Sequence, residues 1–294
     1  MHYETRFLHR IQKDFLIVGL HDYEELSQAG TLNNRYVELS MEALCCLCYF
    51  PNVEHLILTP GEVTPEGLWA LRGLNIKSLK LDYYTYEIDS YTIDLACFPQ
   101  LELVFARTQC CYTNIVNCST LQTLIVQEWL TDNLNSLSNS SIKALKIFSG
   151  RLRSLNGVER LPNLVSLSIA NQRQLVDCEG LRMTNLESIE IISCNKVETT
   201  LFPVLSDLRF LHLSGKKAIP NVATILCLAP RLEWLLLDHA VEDGNLSPLT
   251  NLSHAVIFTD HRHYSHKNVN LPKAAYRFHS DYLSENLAVL PEAY

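Results

Sequence analysis

The sequence predicts an α/β solenoid, a stack of short strand-and-return units that share one parallel sheet. Two observations predict it. A phrase of six residues, aliphatic at its first, fourth and sixth places, recurs along the chain, as in Val53-Glu54-His55-Leu56-Ile57-Leu58 and Ile76-Lys77-Ser78-Leu79-Lys80-Leu81. It returns at Leu101, Leu121, Ile142, Leu164, Leu186, Leu208, Leu232 and, with Ala255 in its middle place, at Leu252. Successive registers also begin only 20 to 25 residues apart, room for one strand and one return. A unit of that length cannot bury its apolar edge alone, so each is covered by its neighbours and the product is a quasi-one-dimensional array.

These registers resemble the leucine-rich repeat family over residues 34–260. The clearest unit is Leu155 to Leu181, where Leu155, Val158, Leu161, Leu164, Leu167 and Ile169 look like the short repeat of internalin-like proteins. The resemblance implies a horseshoe with a parallel concave sheet and a convex side of mixed helical, 3₁₀ and irregular returns. Weaker registers extend it backwards to Asn34–Leu39 and Phe15–Leu20. One column departs from the family. Three residues after the last strand aliphatic the family places Asn or Cys, whose side chain ties up loop backbone. Here that column reads Gly61, Tyr84, Gln109, Trp129, Gly150, Gln172, Cys194, Lys216, Ala240 and Asp260. Only Cys194 fits, which predicts an irregular array.

Taken in order, residues 1–33 read as an N-terminal cap with a degenerate repeat, 34–260 as the solenoid, and 261–294 as a C-terminal cap or tail. Returns with helical character are expected at Ser40–Phe50, at Thr64–Leu74 (Thr64 as N-cap, Pro65 at the first helical position), at Ile88–Phe98 and at Ile219–Ala229. Thr131–Ser141 and Gln172–Leu181 are more polar and read as 3₁₀ or irregular. Pro51, Pro99, Pro162, Pro203 and Pro230 stand shortly before strands, where they end a return. In the tail, Leu271, Tyr276, Phe278, Tyr282, Leu283, Leu287 and Leu290 suit packing on the final repeat. A segment that folds on a partner is the competing reading.

Composition excludes several functions. No stretch approaches the ~18 uninterrupted apolar residues of a membrane span, and the N-terminus has no secretory pattern. Ten cysteines, three of them crowded at Cys45, Cys46 and Cys48 and two adjacent at Cys110 and Cys111, have neither zinc-ribbon nor disulfide-framework spacing. They read as reduced core fillers in a cytoplasmic protein. The net charge of −8 and the lack of a Lys/Arg cluster denser than Lys216-Lys217 argue against nucleic acid. The acidity favours a partner with a basic surface, and equally keeps an apolar-rich array in solution.

Catalytic signals are absent: there is no glycine-rich phosphate loop and no nucleophile elbow, and no cofactor is expected. His261, His263 and His266 in His261-Arg-His-Tyr-Ser-His266 are candidate zinc ligands, but their spacing matches neither a helical pair nor a finger, and a polar turn is the preferred reading.

Alternation along a strand identifies the binding face. With the fourth and sixth residues in the core, the third, fifth and seventh point to the concave side. Phe210, His212, Trp234, Leu236, His254, Val256 and Phe258 are then expected to form an exposed apolar and imidazole patch over the last three repeats, with Asp238 and Glu190 beside it. Leu103, Phe105, Ile125 and Phe148, with Arg107, make a second. Exposed apolar patches mark interaction sites, and Trp, Phe and Arg are frequent anchors. The alternative is that the tail covers the first patch as core. The expected function is non-enzymatic binding of another protein by a chain that is otherwise monomeric. An immunity or inhibitor protein that neutralises a toxin or enzyme is the leading form, and a scaffold or adaptor subunit joining two proteins is the alternative.

Overall fold

A strand that turns every second side chain inward buries its fourth and sixth register positions and leaves the odd ones on the other face. The computed structural model, which describes residues 15–18, 32–33, 35–63, 65–83, 92–198 and 202–273, has this pattern in every register from Val53 to Leu252. Leu56 and Leu58, Leu145 and Ile147, Leu167 and Ile169, and Leu235 and Leu237 are all 1 % exposed or less. The first register positions, from Val53 to Leu252, are buried as well.

The described residues fall into two compact units, divided after Val126. The first holds β1 (Phe15–Val18), β2 (Tyr36–Ser40), β3 (His55–Thr59), β4 (Ser78–Leu81) and β6 (Leu103–Thr108), side by side in that order, with β8 (Thr123–Trp129) beginning next to β6. The pairings from β1 to β6 are parallel. A strand does form at Phe15–Val18, but its pairing of Phe15 with Tyr36, Leu16 with Val37 and Val18 with Leu39 puts Leu16 and Val18 in the fourth and sixth places, two residues off the Phe15–Leu20 register read from the sequence. A small parallel pair, β5 (Ile93–Asp94) and β7 (Tyr112–Thr113), lies in the returns. The second unit stacks β9 (Ala144–Gly150), β10 (Ser166–Ala170), β11 (Ser188–Ile192), β12 (Phe210–Ser214), β13 (Trp234–Asp238) and β14 (His254–Ile257), all parallel and in sequence order. This is the leucine-rich repeat fold.

The returns are short. Met41–Tyr49 is 3₁₀ throughout, α1 covers Pro65–Ala70, and Leu95–Cys97, Val158–Arg160 and Glu179–Met183 are short 3₁₀ segments. α2 (Val222–Leu228) begins at Asn221, whose Oδ1 accepts the Thr224 N–H at 2.9 Å, an N-cap of the usual kind. Thr64 and Ile88, expected to open returns, lie outside the described residues, as do Tyr84 of the irregular column and the tail from Tyr276 to Leu290.

The irregular column is solved one residue at a time. Gln172 is fully buried, with Oε1 accepting from Leu152 N at 3.2 Å and Nε2 donating to Ala170 O at 3.3 Å. Cys194 donates its thiol to Ile192 O at 3.4 Å. Gly150 sits at φ +133°, and a Cβ there would come within 2.0 Å of Trp129 O, so only glycine fits. Asp260 Oδ1 accepts Asn268 N at 2.9 Å, which helps to fold the tail back. The free edge of β14 is met by that tail: Ala255 N donates to Pro272 O and Ile257 N to Asn268 Oδ1, while Lys273 forms an antiparallel bridge with His254.

Candidate functional site

Register pairing in the second unit aligns the odd positions into rows. One row runs Ser166, Ser188, Phe210, Trp234, His254, and the next Ser168, Glu190, His212, Leu236, Val256. A third carries Ala170, Ile192, Ser214 and Asp238. Adjacent strands lie ~4.8 Å apart, so large side chains in one row touch. Trp234 stacks on His254 with ring centroids 4.5 Å apart, and Phe210, Trp234 and Leu236 form one cluster with Val256 packed against it. His212 stacks on Phe258 at 5.9 Å.

The rows come together as expected, but their exposure does not. Phe210 is 1 % exposed, and Trp234, Leu236 and His254 are each at 6 % or below. They are interior residues on this side of the sheet. Part of the reason is geometric, because broad rings stacked at strand spacing shield one another's faces. What remains open to solvent is Phe258, 55 % exposed, flanked by half-buried Val256, His212 and Asp238.

Polar groups border this site. His212 Nδ1 lies 3.8 Å from Glu190 Oε1, both largely shielded. Along the same row, burial lowers the pKa of Lys146, while the Glu190 carboxylate works against that shift. Ser214 Oγ donates to Asp238 Oδ2 at 3.1 Å. A sheet face carrying one exposed ring, a half-buried imidazole and two carboxylates can grip a surface.

The second predicted patch is also corrected. Leu103, Phe105 and Ile125 are buried at 8 % exposure or less. Lys80 Nζ stands 5.4 Å from the Phe105 ring centre, and Asp82 draws both Lys80 (3.2 Å) and Arg107 (2.5 Å) into ion pairs. Arg107 is therefore held within the chain. Phe148, half-buried, belongs to the second unit. The sequence missed His55 here: it stacks on Tyr36 at 4.2 Å, its Nδ1 lies 2.8 Å from Ser78 Oγ, and burial depresses its pKa to about 4. Only the identical row position of Tyr36 and His55 signals this pairing.

Among the described residues no three His, Cys, Asp or Glu side chains converge closely enough to hold a metal ion, and the rings of the histidine-rich segment engage protein groups. His263 Nε2 lies 3.1 Å from Val241 O, and the rings of His261 and His263 stand edge-on to Tyr264, whose OH accepts Val241 N at 2.8 Å. His266 Nδ1 lies 3.0 Å from Ser265 Oγ. All ten cysteines are free thiols. Burial pushes Cys178 up to about 12 and Cys194 up to about 11, the reverse of what an activated nucleophile needs.

A concavity of about 320 Å³ lies where the chain leaves β11, β12 and β13. Glu198, Lys217, His239 and Glu242 line it. None was singled out from the sequence, because they occupy returns, where the repeat pattern carries no phase.

No protein-family model matches the chain, and no curated protein does. Among solved structures it is similar to an internalin (inlF) from Listeria monocytogenes str. 4b F2365, with a TM-score of 0.53 and 16 % identity, over 84 % of this chain and 81 % of that one. At that identity the likeness is one of fold. No helix among the described residues is long and apolar enough to cross a membrane.

Proposed function

We propose that the chain is a non-enzymatic protein-binding module, and that it serves as an immunity or inhibitor protein occluding a toxin or enzyme. The observation that carries the binding reading is Phe258, more than half exposed and stacked on His212 at the edge of an otherwise closed aromatic cluster. Val256, Glu190 and Asp238 complete the proposed contact, and Trp234, Phe210, Leu236 and His254 form the rigid layer beneath it. A rigid aromatic anchor beside carboxylates suits a partner with a basic patch, as does the net charge of −8. Ten free thiols support a reducing compartment such as the cytoplasm.

The test begins with affinity capture from native cells and continues with the purified partner. An inhibitor abolishes its partner's activity at one equivalent, and Phe258→Ala weakens the complex about tenfold while the exposed convex-side variant Trp69→Ala leaves it intact. A partner that stays active in the complex while a third protein joins it assigns the adaptor role instead. Loss of binding in Trp69→Ala alone moves the contact to the returns.

A further inference from the structure

The concavity beyond β11, β12 and β13 is built around one oriented imidazole. His239 is buried, and its Nδ1 lies 2.6 Å from the carbonyl oxygen of Lys217. A carbonyl only accepts, so Nδ1 carries the proton and Nε2 offers a lone pair. Burial keeps the ring below its ordinary pKa, hence neutral. Nε2 has no hydrogen-bond partner among the described residues. The ring's seat depends on Gly215: a Cβ there would come within 2.9 Å of Cε1 and 3.2 Å of Nε2.

Two carboxylates share the site with different standing. Glu198 is paired with Lys217 at 2.5 Å. Glu242 has no side-chain partner among the described residues, and its backbone is pinned by its N–H donating to Ile219 O at 2.9 Å and by the Ile219–Val241 bridge. Val197 and Pro220 supply apolar wall. The cavity thus presents acceptors, a net negative charge and flat apolar surface, and its one ammonium is already engaged.

We infer that this cavity is a binding site for a guanidinium group, with Glu242 and the Nε2 of His239 as its acceptors. A guanidinium has five N–H donors and no acceptor, pairs with a carboxylate through two parallel hydrogen bonds, and sheds water more readily than an ammonium. Each property matches a feature of the cavity. The inference is independent of the sheet-face contact at Phe258. The source of the group is an arginine side chain of another protein or a free arginine-like molecule.

The test is an NMR titration of the full chain, following the His239 imidazole. L-arginine amide is expected to shift it saturably, its neutral isostere L-citrulline amide is not, and Glu242→Gln weakens the arginine response about tenfold. A blocked Gly-Arg-Gly peptide that binds as tightly as arginine amide assigns the source to a protein. A peptide that fails where arginine amide succeeds assigns it to a free small molecule. Binding of citrulline amide at equal strength, no saturation by arginine amide, or an unchanged response in folded Glu242→Gln overturns the inference. Such a failure leaves the Phe258 test untouched.

Discussion

Leu167 and Leu236 stand on opposite faces of the sheet, and both are buried. For Leu167, fully inside and one place from the middle of β10, replacement by Ala leaves a cavity and is expected to cost ~2–5 kcal/mol in urea unfolding. Alternation alone assigns Leu236 to the open side and predicts tolerance. Its packing with Phe210 and Trp234 instead predicts that Leu236→Ala destabilises by a comparable amount, ~2 kcal/mol or more. A loss below ~0.5 kcal/mol, as at surface positions, would show the cluster to be open. His55 gives a pH prediction. Its folded pKa, depressed by burial to about 4, lies below the unfolded value of about 6.5. The unfolded chain therefore binds more protons between those values, and stability rises with pH across that window. The contribution is complete above about 6.5 and lost as pH falls toward 4. His55→Gln should flatten this part of a melting-temperature profile, and an unchanged slope would assign it to other groups.

Single elements are held by single side chains, because the returns are too short to be stable by themselves. α2 depends on the Asn221 cap, so Asn221→Ala is expected to cost ~1 kcal/mol and Asn221→Asp much less. The edge of β14 depends on Asn268, whose Oδ1 receives both Ile257 N and Lys273 Nζ. Removing that acceptor in Asn268→Ala strands the backbone donor and should cost ~1–3 kcal/mol. Hydrogen exchange would read it as faster exchange at Ile257, with β10 unaffected. Uniform acceleration across both strands would mean that the edge and the interior open together.

Across the molecule, stability comes from burial rather than covalent staples. Ten free thiols predict that a reductant leaves the melting temperature unchanged and that a denatured sample titrates all ten. A shift on reduction would expose a disulfide. The net charge of −8 predicts that association with a basic partner slows as salt rises, by screening of steering, while dissociation changes little. A salt-independent association rate would remove the electrostatic argument for a basic partner.

By itself the sequence determined the repeat spacing, the parallel order and the phase of the strands in the ten registers from Val53 to Leu252, because these follow from a local period of two inside a period of about 20 to 25 residues. Leu56, Leu145 and Leu235 face inward for that reason alone. It also brought His212, Leu236 and Val256 into one row. Tertiary structure alone decided which of these side chains meet water. A column names the side of the sheet, but burial there depends on neighbours some twenty residues away, which closed Phe210 and Trp234 and left Phe258 open. The cavity around His239 was beyond the pattern for the same reason. It is assembled from three successive returns, and returns have no period to read.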